Sequence, residues 1–199
     1  MNKIIYIVFL SMLLSPLGFA LETNSKAPNF TLTDMSGEKR SLTDYKGKYV
    51  VLEWMNHDCP FIKKHYKTGN MQKLQKEFKK KGVVWLSINS SAKGKQGYLT
   101  QKTALEVTKE KGAQPTTLLL DPDGKVGKMY GAKTTPHMYI INPDGKLIYQ
   151  GAIDDKPSFM TGTVEKAKNY VVLALNESMA GKKVTVNTTQ PYGCSVKYE

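Results

Sequence analysis

Short apolar runs alternate along the chain with longer stretches in which apolar residues recur every three or four positions. Lys48 to Met55 (KYVVLEWM) is nearly continuous and rich in valine, which predicts a strand buried on both faces. VVWLSIN (83–89), TTLLL (116–120), HMYII (137–141) and KLIYQG (146–151) predict four more strands. The last two flank Asn142-Pro143-Asp144-Gly145, a turn sequence, and so form a hairpin. Nearer the start, PNFTLTDMSGEKRSL predicts two short strands around Asp34-Met35-Ser36-Gly37.

The helical period lies between these runs. Pro60 suits the first turn of a helix that continues through Met71, Leu74 and Phe78 and closes at Gly82, with a point of interruption at Gly69-Asn70. Tyr98 to Lys111 predicts a second helix ended by Gly112, Val126 to Tyr130 a helical turn, and Thr163 to Met179 a last helix. Strand and helix alternate before the hairpin. That order predicts an α/β fold: a central mixed sheet of at least four strands, flanked by helices on both faces, with an antiparallel edge.

The first twenty residues fall outside this pattern. MNKIIYIVFLSMLLSPLGFA has a basic start at Lys3, an apolar stretch from Ile4 to Leu14 and a small-residue end at Ala20, the layout of a secretory signal peptide. The apolar stretch is short of the roughly 20 residues a spanning helix needs. The chain therefore divides into a leader (1–20), one domain (21–180) and a polar tail (181–199). The expected destination is exported, periplasmic or secreted, with no membrane span in the mature chain.

Charge changes the picture little. Twenty-nine Lys and Arg against 17 Asp and Glu give a net charge of +12, spread over stretches such as KLQKEFKKKG. In an exported protein this describes a solvated basic surface rather than a nucleic-acid footprint. No nucleic-acid partner and no cofactor are expected.

The chemistry lies in NHDCPFIKKH (56–65). The chain has two cysteines, Cys59 and Cys194. Cys59 ends a predicted buried strand and caps the helix that Pro60 begins. Unpaired amides and the helix dipole at that terminus favour a thiolate, and Lys63, Lys64 and His65 add positive charge nearby. The polar flanks His57 and Asp58 argue against a buried, inert cysteine. Downstream, Thr134-Thr135-Pro136-His137 puts a proline at a strand entry, where it withholds no ladder hydrogen bond.

Together these stretches, APNFTLTDMSGEKRSLTDYKGKYVVLEWMNHDCP and LLLDPDGKVGKMYGAKTTPHMYIINPDGKLIYQG, resemble the thioredoxin-like superfamily and, within it, the redoxin or AhpC/TSA-like branch. The resemblance covers roughly Ala27 to Met179. It implies a thioredoxin-like fold, a reactive thiol at Cys59, and a cis Thr135-Pro136 bond beside it. The dithiol members carry Cys-x-x-Cys, whereas Ile62 stands here in place of the second thiol. Peroxiredoxins carry Thr or Ser three residues before the reactive cysteine and Pro seven before it, whereas Asn56 and Leu52 stand here.

Cys194, in PYGCSVKYE, is then the candidate second thiol, either resolving an intermediate on Cys59 or forming a structural bridge with it. The expected catalytic set is Cys59, Cys194, Thr135 and Pro136. The substrate is an unidentified thiol or disulfide protein, or a peroxide. Two alternatives stand on the same residues. One is a carrier of a soft metal such as copper, held by Cys59 with His57, His65 or His137. The other is a non-enzymatic binding module with a structural Cys59–Cys194 disulfide.

Overall fold

The computed structural model describes residues 21–199, and the leader read from the sequence lies outside the described residues. Seven strands form one sheet: β1 (Thr31–Asp34), β2 (Lys39–Ser41), β3 (Val50–Trp54), β4 (Val84–Asn89), β5 (Thr117–Leu120), β7 (His137–Ile141) and β8 (Leu147–Gly151). Their spatial order is β2-β1-β5-β4-β3-β7-β8. The centre is parallel, β3 beside β4 and β4 beside β5. The hairpin β7–β8 joins antiparallel to β3, and β1 joins antiparallel to β5, so antiparallel hairpins flank both sides. β6 (Thr134–Thr135) and β9 (Cys194–Ser195) form a separate two-stranded pair.

Every residue of β3, β4 and β7 is buried, which is why these strands read as unbroken apolar runs. Their alternate side chains build two cores. Val51, Trp85, Met138 and Ile140 face one layer, packed on α1 (Pro60–Lys67), α2 (Asn70–Lys80), α3 (Gln101–Glu110) and α5 (Tyr170–Met179). Val50, Leu52, Trp54, Leu86, Ile88 and Tyr139 face the other, packed on α4 (Lys125–Tyr130) and the N-terminal segment around Phe30 and Leu42. Helices therefore cover both faces. Among the described residues no helix is long and apolar enough to cross a membrane.

The interruption expected at Gly69-Asn70 divides the Pro60–Gly82 stretch into α1 and α2, with Gly69 at φ of +72°. The last helix begins at Tyr170 rather than Thr163. Residues 164–169 turn their backbone toward the segment after β8 instead: Tyr170 N donates to Ile153 O at 3.0 Å and Lys168 N to Asp155 Oδ1 at 2.9 Å. The Asn169 side chain then caps the helix, accepting from Val172 N at 3.0 Å.

The tail is part of the packed structure. Val184 is buried, and Thr188 bridges Gln150 at the outer edge of β8. The chain then crosses back, so that β9 lies antiparallel to β6. Farther on, the Tyr198 hydroxyl donates to Ala132 O at 2.8 Å.

Candidate active site

Cys59 stands where β3 gives way to α1. The loop between them is tied locally: Asp58 N donates to Asn56 Oδ1 at 2.9 Å, and Cys59 N to Asn56 O at 3.0 Å. Asn56 is itself held by its amide donating to Gln96 O at 3.1 Å. Cys59 has extended backbone and Pro60 opens the helix, an arrangement that leaves the first amides of α1 free to face a charge.

Against this sulfur lies β6. The Thr135-Pro136 bond is cis. The Thr135 carbonyl accepts from Cys59 Sγ at 3.1 Å. Across the β6–β9 pair, Cys194 is in register with Thr135. The structure thus brings Cys59, Thr135, Pro136 and Cys194 into one place, although 135 residues separate the two thiols in sequence. Both cysteines are unbridged. Gly193 makes the approach possible: its φ is +136°, and the Thr135 backbone occupies the space a side chain would need.

The two thiols differ in acidity. Burial pushes the Cys59 thiol up, but hydrogen bonds from the Cys194 thiol, Thr135, the Ile62 amide and the Cys194 amide outweigh it, and the net direction is down. Burial raises Cys194, and the neighbouring Cys59 sulfur raises it further. Cys59 is therefore the more acidic thiol of the pair, with Cys194 beside it as a donor. The Thr135 hydroxyl is buried and without a hydrogen-bond partner among the described residues, and its presence beside Cys59 also favours the lower pKa.

Three expectations need correction. Cys59 is fully buried despite its polar neighbours, with Thr135 of β6 against its sulfur and Cys194 of β9 packed on the same core. The basic groups after it do not act as one field. Lys63 pairs with Asp58 at 3.5 Å, Lys64 is buried and directed at Asp154, and burial beside Lys64 lowers the pKa of His65 to about 3. The lowered pKa of Cys59 instead rests on hydrogen bonds. Nor are the histidines assembled with Cys59 as metal ligands, since no three His, Cys, Asp or Glu side chains are so grouped among the described residues. His65 Nδ1 is taken by Asn70 at 2.9 Å, and His137 Nδ1 accepts from Lys133 N and pairs with the Tyr139 hydroxyl. His57 is half-buried beside Asp58.

Sequence reasoning missed two buried polar clusters near the site. Glu53, inside the apolar run of β3, accepts from Tyr66, Gln75, Trp85 and Ser87 at 2.8–3.2 Å. Asp154 accepts from the Tyr192 hydroxyl, with Lys64 and His65 beside it. A glutamate amid valines and tryptophan is the signal for the first cluster. The second joins residues about ninety to 130 apart and leaves no local signal.

The AhpC/TSA family profile matches residues 23–150, a range that holds Cys59, Thr135 and Pro136 and ends before Asp154, Tyr192 and Cys194. The thiol-disulfide oxidoreductase ResA of Bacillus cereus is 27% identical over 161 residues, covering 75% of this chain and 87% of the relative. Among solved structures, an uncharacterized conserved protein from Geobacillus kaustophilus superposes with a TM-score of 0.77 at 28% identity, covering 90% of this chain and 93% of the other. The thioredoxin domain of a thiol-disulfide oxidoreductase from Bacteroides vulgatus gives a TM-score of 0.54 at 27% identity, covering 73% and 97%.

Proposed function

The chain belongs to the AhpC/TSA family, and from that premise we propose that it is an exported thiol–disulfide oxidoreductase whose working pair is Cys59 and Cys194. The observation that carries the reading is the β6–β9 register, which sets Cys194 opposite the residue whose carbonyl holds the Cys59 thiol. The missing thiol at position 62 is replaced from the tail. The names of the curated relatives support the reaction class, and the leader supports export.

The Cys59 thiolate attacks one sulfur of a partner disulfide, forming a mixed disulfide and releasing the other partner sulfur as thiolate, which takes a proton. Cys194 gives up its proton and attacks Cys59 Sγ. The second partner thiol leaves, and a Cys59–Cys194 disulfide remains. Two electrons pass from the chain to the partner, and the reverse sequence oxidises a partner dithiol. Thr135 and Pro136 shape the wall against which the attacked sulfur sits. Because β9 closes over Cys59, a partner enters only when this two-residue strand lifts.

The test uses the reduced full chain and its Cys194→Ser variant, each mixed with glutathione disulfide. The wild type should end as an intramolecular disulfide, and the variant should stop at a mixed disulfide on Cys59, read by mass and peptide mapping. A variant that forms no adduct sinks the assignment of Cys59. If the wild type bridges with hydrogen peroxide much faster than with any disulfide, the reaction is peroxide reduction.

A further inference from the structure

The segment that carries Cys194 is fastened to the body two residues earlier. The Tyr192 hydroxyl donates to Asp154 Oδ1, and the same carboxylate oxygen accepts from Lys156 N at 2.9 Å. Lys64 Nζ reaches the Tyr192 oxygen at 3.4 Å and Lys156 O at 3.2 Å, and stands 3.9 Å from Asp154 Oδ2. His65 Nε2 lies 3.8 Å from that oxygen. The side chains of Lys64, His65 and Asp154 are at most 1% exposed. Outside this cluster the Tyr192 ring packs on Phe61, centroids 5.7 Å apart.

A buried lysine and aspartate are costly for a fold to hold, and replacing such a pair with apolar residues is often neutral or stabilising. Its location suggests what the pair does here. Lys64 and His65 belong to α1, the helix that Cys59 caps, and Phe61 is two residues from Cys59. Asp154 follows β8, and Tyr192 is two residues from Cys194. The cluster therefore ties the two cysteine-bearing segments to one another through groups that touch neither sulfur. β9 pairs over only two residues; beyond it Val196 N donates to Lys133 O at 3.1 Å and Ala92 N to Lys197 O at 2.8 Å, so the cluster is the fastening on the side that precedes Cys194.

We infer that Tyr192 and Asp154, with Lys64, are positioning residues that hold Cys194 against Cys59. This rests on the reading that Cys194 is the partner thiol of Cys59. Loss of the Tyr192 hydroxyl leaves the ring on Phe61 but frees the segment to depart from Asp154, and Cys194 then spends less time in reach of Cys59.

The experiment equilibrates the full chain with mixtures of glutathione and glutathione disulfide and measures the fraction carrying the Cys59–Cys194 bridge, for wild type, Tyr192→Phe and Asp154→Asn. The effective concentration of Cys194 toward Cys59 should fall by at least about tenfold in Tyr192→Phe, as expected for losing a hydrogen bond to a charged group. In a Cys194→Ser background, Tyr192→Phe should leave mixed-disulfide formation at Cys59 no slower. That pairing separates positioning of the tail from damage to the site. Tyr192→Phe keeps the buried charges intact and so stays interpretable if Asp154→Asn fails to fold. A Tyr192→Phe chain with the wild-type effective concentration overturns the inference while the Cys59–Cys194 reading stands. A wild-type chain that forms no bridge at any glutathione ratio overturns both.

Discussion

Gly193 is where a single methyl group should separate the two thiols. An ideal Cβ there would lie 2.8 Å from the Thr135 carbonyl carbon and closer still to its oxygen. Carbon contacts settle near 3.5–4.0 Å, so in Gly193→Ala the β9 and β6 backbones must part by more than about half an ångström. The backbone adds to this, because φ of +136° suits glycine and costs other residues on the order of 1–3 kcal/mol. Neither cost can be relieved by turning a side chain, since the obstacle is backbone. The tail should lift, and Cys194 should lose its register with Thr135. A misplacement of about 1 Å at a reacting group costs on the order of 100-fold in rate.

The assay follows bridge closure after reduced protein meets glutathione disulfide, with acid quenching and mass analysis. Gly193→Ala should accumulate the Cys59 mixed disulfide and close it at least about tenfold more slowly than wild type. Cys59 should also alkylate faster, because the cover over it has loosened. Gly181→Ala is the control. Gly181 also has positive φ, +70°, but a Cβ there meets nothing within 4 Å among the described residues. It should share the conformational cost without the change in closure. Equal closure rates in the two alanine variants would refute the reasoning.

Further outcomes follow from the same geometry. The Cys59 alkylation midpoint should stay below that of a free cysteine in Cys194→Ser, which keeps a donor beside the sulfur, and should move up in Cys194→Ala; pH-dependent labelling with iodoacetamide reads both. Glu53→Ala strands four buried donors, on Tyr66, Gln75, Trp85 and Ser87, and should cost at least about 3 kcal/mol in urea unfolding. Burial lowers the pKa of His137 from 6.5 to about 3, so the unfolded chain binds this proton first and stability is lost as pH falls below about 6.5. His137→Asn removes that proton, and its deficit relative to wild type should shrink on acidification, by up to about 1.4 kcal/mol per pH unit in unfolding titrations.

What could be read from the sequence follows from where each structural cause lies. β3, β4 and β7 are buried on both faces, so their positions are constrained one by one and the apolar runs survive in the sequence. Cys59-Pro60 and Thr135-Pro136 were legible for a similar reason, since each marks a junction through its own backbone chemistry. The break at Gly69-Asn70 is legible through the glycine, which adopts its φ of +72° freely, although Met71, Leu74 and Phe78 continue the apolar stripe beyond it. The start of α5 was misplaced because residues 164–169 have no local bar to a helix. Their backbone is drawn instead to Ile153 and Asp155, which only the folded chain brings near.

Charged residues show the sharper limit. By local pattern Lys64 and His65 belong with Lys63 as exposed basic groups at a helix start, and by that pattern all three would raise the positive field at Cys59. In the fold Lys63 stays at the surface, while the other two are sealed beside Asp154 and Tyr192. The residues that reverse the meaning of Lys64 lie about ninety and 130 positions away. The acidity of Cys59 correspondingly rests less on nearby cations than the sequence implies, and more on hydrogen-bonding groups that include the two-residue tail strand. Acidity at Cys59 and proximity of Cys194 are then linked, because Cys194 contributes through both its thiol and its amide, beside Thr135 and Ile62, to lowering the first thiol. Lifting the tail should therefore raise the pKa of Cys59 in the same motion that exposes its sulfur.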